Sequence, residues 1–320
     1  MERDELIIDI YLRIERLYAE IMANQRLRRG GFPPVLSDPE LLTMEVIAEI
    51  EGKNGDRAIW RYFKSHWCGW FPGLCAYKTF AKQSANLFLI RQEILARLFP
   101  AADVQIVDGV PLPICHNARA GRSRMLDAVA TWGFCAAKGE HYYGLKGQIA
   151  ITPCGVVSAS TVVPANVDER QSLWDISSVI NGLMIGDKGY ISQDLQKELA
   201  RHGINLQTPL RDNMTDPRPK EEVSALMKLR KRVETALSLL VGHFNLARIK
   251  AHDPWHYTSK FTRKRLSFLM TNPQKFLKFS TDPKKAGKSP GVGVIRSSSS
   301  ARRNRETAVR ATMPFLNRPV

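Results

Sequence analysis

The sequence predicts an α/β protein: a mixed sheet flanked by helices, a mainly helical N-terminal region (1–99), and a basic, disordered tail (283–320). Three observations carry this prediction. Hydrophobic spacing is helical up to about residue 99 and changes to short apolar runs from about 102. From there strands and helices alternate, an order that builds a sheet covered by helices. Beyond Pro283 the chain is rich in Gly, Ser and Pro, with nine Lys plus Arg and one acid, Glu306. Such a stretch cannot bury a core.

The first helix is read from MERDELIIDIYLRIERLYAE, where Ile7, Ile10, Leu12, Ile14, Leu17, Tyr18 and Ile21 fall near helical spacing. A second helix is expected over SDPELLTMEVIAEIEG, with Asp38 as N-cap, Pro39 at the first helical position and Gly52 as the stop. Two aromatic and basic segments follow, DRAIWRYFKSHWCGWFP and YKTFAKQSANLFLIRQEILARLF. They fit equally a helical bundle with solvated basic faces and a DNA-binding module, since no helix-turn-helix pattern decides.

The sheet begins with DVQIVDGVPLPI (103–114), a strand expected to end near Asp108-Gly109. ARAGRSR (118–124) reads as a basic loop, and HYYGLKGQIAIT (141–152) and GVVSASTVV (155–163) as two strands joined by a turn at 153–155. NVDERQSLWDISSVI reads as a helix capped by Asp168. A buried strand then runs through Leu183, Met184 and Ile185 and stops on Gly186-Asp187-Lys188-Gly189-Tyr190. A helix (192–202), a strand (204–210) and a long helix (219–244) complete a domain assigned to 100–282.

Net charge is +16 over 320 residues, from 47 Lys plus Arg against 31 Asp plus Glu. That excess points to a polyanion, most often nucleic acid. A membrane is not expected: no run of 18 apolar residues and no purely basic amphipathic helix occurs. The N-terminus is acidic at once, unlike a signal or transit peptide. The five cysteines are scattered and form no C-x-x-C pair, as expected of a reducing, cytoplasmic chain.

Three carboxylates sit where chemistry could use them. Asp108 and Asp187 each follow a buried apolar run, and open α/β sheets carry their sites at the carboxyl ends of strands. The plain alternative is an ordinary turn at each, Asp-Gly at Asp108 and Gly-Asp-Lys-Gly at Asp187. Glu234 lies at the margin of the long helix's apolar stripe (Val223, Leu226, Met227, Val233, Leu237, Leu240, Val241, Phe244), with Arg230 one turn before it. A surface Arg–Glu pair worth a few tenths of a kcal/mol is the plain alternative. Together, two strand-end aspartates and a helix glutamate are hard oxygen donors suited to Mg²⁺ or Mn²⁺. Two such ions about 3.5–4 Å apart serve phosphoryl transfer.

The blocks IVDGVPLPICHNARA, YYGLKGQIAIT, VVPANVDERQSLWDI, IGDKGYIS, LQTPLRDNM and RKRVETALSLLVGHFNL, in this order, resemble a DDE transposase of the insertion sequence 982 group. The resemblance covers roughly residues 35 to 265. It implies an RNase H-like catalytic fold and a two-metal site falling on Asp108, Asp187 and Glu234. It also implies DNA partners, the element ends and the target, and a homo-oligomer assembled on them. Lys188, Arg119, Arg122, Arg230 and Arg232 are then candidates for phosphate contacts, although each equally fits a solvated surface. Of a Tyr-x-x-Arg-x-x-x-Glu-x-x-x-x-x-x-Lys signature the chain keeps Arg230 and Glu234, with Met227 and Val241 in the outer places. Gln148 stands where a histidine is expected. A non-catalytic DNA-binding relic and a host RNase H-like nuclease are the alternative functions.

Overall fold

The computed structural model describes residues 3–24, 32–98, 102–211 and 213–271. The predicted tail (283–320) and the side chain of Arg232 lie outside the described residues. In chain order the elements are helices α1 (Arg3–Asn24), α2 (Asp38–Ile50), α3 (Asp56–His66), α4 (Tyr77–Asn86) and α5 (Phe88–Leu98). Strands β1 (Val104–Pro113), β2 (Thr131–Cys135), β3 (Glu140–Ile151) and β4 (Val157–Pro164) follow. Short helices α6 (Glu169–Ser172) and α7 (Trp174–Ser177) lead to β5 (Gly182–Ile185), α8 (Gln193–Arg201) and β6 (Ile204–Gln207). Two long helices, α9 (Lys220–Gly242) and α10 (Pro254–Met270), close the described chain. Among the described residues no helix is long and apolar enough to cross a membrane.

The chain divides into two compact units. One joins Met1–Leu98 to Leu239–Thr271, and the other contains Phe99–Ser238. The stretch Leu239–Thr271 groups with the N-terminal helices and not with the sheet. In the helical unit α1 buries Ile7, Ile10, Ile14, Leu17 and Ile21, while Leu12 points out to solvent. Helix α2 begins one residue earlier than read from sequence. Ser37 is its N-cap in a reciprocal capping box with Glu40, 3.3 Å and 2.7 Å. Asp38 is instead buried, accepting from the Tyr18 hydroxyl and the Gln83 amide at 2.9 Å each. The segment from 77 on forms two helices, α4 and α5, parted at Leu87.

Helix α10 had no counterpart in the sequence reading. It packs on α2, α4 and α5, and every residue from Phe261 to Met270 is buried. Arg263, Lys264 and Arg265 are among them. Glu45, Glu49 and Asp56 from the N-terminal helices supply partners inside for Arg263 and Lys264.

The other unit is a six-stranded mixed sheet of order β2-β3-β1-β5-β6, with β4 also on β3. β3 is antiparallel to β1, and β5 and β6 run parallel to it. A central β1 with an antiparallel hairpin on one side and parallel crossovers on the other is the RNase H-like arrangement. The long β3 shares its outer edge between two partners: β2 pairs with residues 140–144 and β4 with 145–151. Strand β2 was not read from the sequence, and the basic loop at 118–124 is largely a 3-10 turn, Asn117–Arg122. One sheet face is closed by Leu173, Ile176, Ile180, Leu195 and Leu199 packing on Val107, Ala150, Met184 and Leu206.

Candidate active site

β1 and β5 run side by side as far as Ile106 opposite Ile185. β5 stops there. β1 does not end at Asp108 as the sequence suggested, because β3 keeps pairing with it from Asp108–Ile149 through Pro113–Gly144. Asp108 therefore sits inside a strand, at the point where its parallel neighbour has just turned away. Asp187 lies the same two residues beyond the last paired position, which brings the two aspartates to one level of the sheet.

The glycines around them answer to space. At Gly186 a Cβ would stand 2.8 Å from the Tyr190 ring, which folds back beneath the turn and is fully buried. Asp187 caps the 3-10 turn Lys188–Tyr190, its Oδ1 accepting from the Gly189 amide at 2.6 Å. At Gly109 a Cβ would stand 2.6 Å from Oε1 of Glu169, and at Gly189 one would stand 2.9 Å from Oδ1 of Asp187. Glu169 is thus laid against β1 beside Asp108 and faces the Asp187 turn.

Three carboxylates consequently share one field. Burial pushes the Asp108 carboxyl up to about 6; the Gly109 amide, at 2.8 Å, and Arg230 oppose the rise, while Asp187 and Glu169 add to it. Glu169 is also raised, chiefly by burial, with Lys146 opposing and Asp187 adding. Its carboxylate lies 3.9 Å from Lys146 and accepts from the Tyr190 hydroxyl. Tyr190 in turn accepts from Gln148 at 2.5 Å, and Gln148 accepts from Ser172 at 3.1 Å. Gln148, which stands where a histidine was expected, is fully buried in this relay. Asp168, N-cap of α6 through the Arg170 amide at 2.8 Å, fixes where Glu169 starts.

Glu169 was not singled out in the sequence. Asp168 and Glu169 at a helix start read as an ordinary N-terminal turn, and only the fold shows the second of them reaching β1. Glu234 is exposed on α9, one turn after Arg230, whose charge reaches Asp108. Arg230 is half-buried and lines a small cavity with Ile185, Gln207 and Thr208. Lys188 is exposed beside Asp187, and Arg119 and Arg122 are exposed on the 3-10 turn after β1. The structure thus brings together Asp108, Asp187 and Arg230, adds Glu169, and leaves Glu234 on the adjoining helix surface.

Oxygen-only donors with too little positive charge beside them suit a hard divalent cation. Among the described residues, no three His, Cys, Asp or Glu side chains are gathered closely enough to hold an ion unaided. Asp108 and Asp187 are the two donors the fold itself aligns.

Residues 100–251 match the family model described as Transposase DDE domain. No curated protein matches the chain. A solved piggyBac transposase synaptic complex with hairpin DNA is similar at a TM-score of 0.43 and 10% identity, over 98% of this chain and 80% of that one. The family match contains both aspartates, Glu169, Arg230 and Glu234, and it supports a DDE transposase.

Proposed function

We propose that the chain is a DNA transposase that cuts a strand at the ends of its element and joins the freed end to target DNA. The observation that carries this reading is the aligned pair Asp108 and Asp187 within the stretch matching the DDE domain. The finer assignment, to the insertion sequence 982 group, rests on the ordered sequence blocks. In cleavage, a water oxygen bonds to phosphorus and the bond to the 3′ oxygen breaks, leaving a 3′-hydroxyl and a 5′-phosphate. In joining, that hydroxyl attacks a target phosphodiester and releases the target's own 3′ oxygen.

Asp108 and Asp187 would hold Mg²⁺ or Mn²⁺, with Glu234 as third carboxylate. Two such ions supply an activated attacking oxygen and charge neutralisation on the leaving one. The chain's own part is to fix the donors: β3 holds Asp108 in line, and the Gly186–Tyr190 turn aims Asp187. Lys188 and Arg230, next to the pair, and Arg119, Arg122 and Arg232 would position phosphates. The exposed Arg57, Arg61 and Lys64 on α3 favour DNA recognition by the helical unit, and a homo-oligomer would bring two element ends together.

A second assignment of the third carboxylate is favoured by one observation: Glu169 already lies against β1 beside Asp108. Thermal unfolding with and without Mn²⁺ separates the two, since binding to the folded state raises the melting point. Glu234→Gln loses the Mn²⁺ shift if Glu234 is the ligand, and Glu169→Gln loses it if Glu169 is. The function itself is tested with duplexes that carry or lack the element's terminal repeats. Nicks bearing 3′-hydroxyls, found only with repeats and only with Mg²⁺, are expected. Cleavage indifferent to the repeats would mean a nuclease, and no cleavage a DNA-binding relic.

A further inference from the structure

We propose that the outer end of the β2–β3 hairpin is a stacking platform for unpaired DNA bases; this rests on the transposase reading and adds a site to it. Among the described residues β2 is an edge strand, paired with β3. On it Trp132 is 49% exposed and Phe134 55%. Their cross-strand partners are also rings: Trp132 faces Tyr143 and Phe134 faces His141. The centroids are 5.6 Å and 5.0 Å apart. Two ring pairs thus follow one another along a sheet edge, where an uncovered apolar row is a liability that chains usually blunt.

The surroundings favour a nucleic acid over a protein. The segment 117–124 carries Arg119, Arg122 and Arg124 and no acid. It is tied to the strip by the Asn117 side chain, which donates to the His141 carbonyl at 2.7 Å. All three arginines are exposed. Lys138 and Glu140 at the hairpin's tip offset one another. Rings that take the flat faces of bases beside cations that take phosphates are how unpaired strands are held without regard to sequence.

The strip also points the right way. Cross-strand partners share a sheet face and alternate residues return to it. Asp108 pairs with Ile149. Residues 147, 145, 143 and 141 therefore lie on the Asp108 face. From Ile149 to Tyr143 is a run of six residues, roughly 20 Å along the strand. Asp108 and the rings thus lie on one side of the sheet.

The test compares the full chain's affinity for a blunt duplex and for the same duplex with three unpaired terminal nucleotides, at one salt concentration. The native chain should prefer the unpaired end about tenfold, and Trp132→Ala with Phe134→Ala should remove that preference while leaving blunt-duplex affinity unchanged. Trp132→Phe should keep it. An equal preference in native and doubly substituted chains, with unchanged melting points, overturns the platform. Self-association lost in the double variant, with no effect on DNA, makes the strip a contact between copies and also overturns it. If the native chain binds neither DNA, the transposase reading fails with it.

Discussion

Both units bury carboxylates, and they treat them in opposite ways. In the helical unit Glu45, Glu49 and Asp56 meet cations. Glu45 accepts from Arg91 at 2.7 Å and 2.9 Å and from Ser84, and Glu49 accepts from Arg263 at 2.9 Å and Lys264 at 2.8 Å. Burial tends to raise the Asp56 carboxyl, but Arg263 and Lys260 more than offset it and hold it down at about 2. In the sheet unit Asp108, Asp187 and Glu169 lie together with Lys146 and Arg230 only at their edge, and Asp108 rises to about 6. Satisfied acids cement a core. Asp108 and Glu169, raised and not held down, fit the proposed metal site.

The largest effect should come from removing the aligned pair. Asp108→Ala and Asp187→Ala should each lower strand cleavage by orders of magnitude while DNA binding survives, because the basic surface is untouched. Cleavage assays in Mg²⁺ beside gel-shift binding decide this, and normal cutting by either variant removes the site assignment. Next in size is the satisfied core. Glu45→Gln leaves Arg91 buried without its counter-ion and should cost about 3–5 kcal/mol in urea unfolding. A loss below about 1 kcal/mol would show that the network is not the cement it resembles.

The two aspartates at opposite extremes give a matched pair of smaller effects. Asp56, held at about 2, binds its proton more readily when unfolded, so the stability it contributes is lost as pH falls from about 4 to about 2. Asp108, held at about 6, binds its proton more readily when folded, so stability falls as pH rises from about 4 to about 6. At pH 8 without metal, Asp56→Asn should therefore destabilise by about 2 kcal/mol, and Asp108→Asn should stabilise by a similar amount. Melting curves across pH check both signs. The same direction for both would dissolve the contrast between the units.

Sequence periodicity made most of the sheet legible, along with the alignment of Asp108 and Asp187, since buried parallel strands are short apolar runs. What it hid was decided by distant partners. Nothing near Arg263 and Lys264 in the sequence marks them as buried, because their partner Glu49 lies more than two hundred residues away in the chain. Strand β2 is only Thr131–Cys135, with two of its rings outward, so it lacks an alternation of inner apolar and outer polar residues. Asp108 looked like a strand end because Gly109 follows it. The glycine is there for Glu169, which no local pattern reveals. Ser37 was passed over because Asp38 before a proline is an equally good cap on sequence alone.

Gly109→Ala should give the smallest effect, and it tests how the third carboxylate is chosen. The added methyl would meet Oε1 of Glu169 at 2.6 Å and its Cδ at 3.0 Å. Those atoms are the free end of a flexible side chain, so the carboxylate can swing aside. The backbone itself loses nothing, since alanine suits a strand interior no worse than glycine does. Stability should change by less than about 1 kcal/mol, within the range of substitutions that leave the core packed. Titration of the variant with Mn²⁺ then reads the site. A melting-point shift equal to that of the native chain means that Glu169 only fills space beside Asp108. A reduced shift, matching that of Glu169→Gln, means that its place against β1 sets the affinity for the ion. A loss of several kcal/mol without metal would instead show that Glu169 is held rigidly by Lys146 and Tyr190.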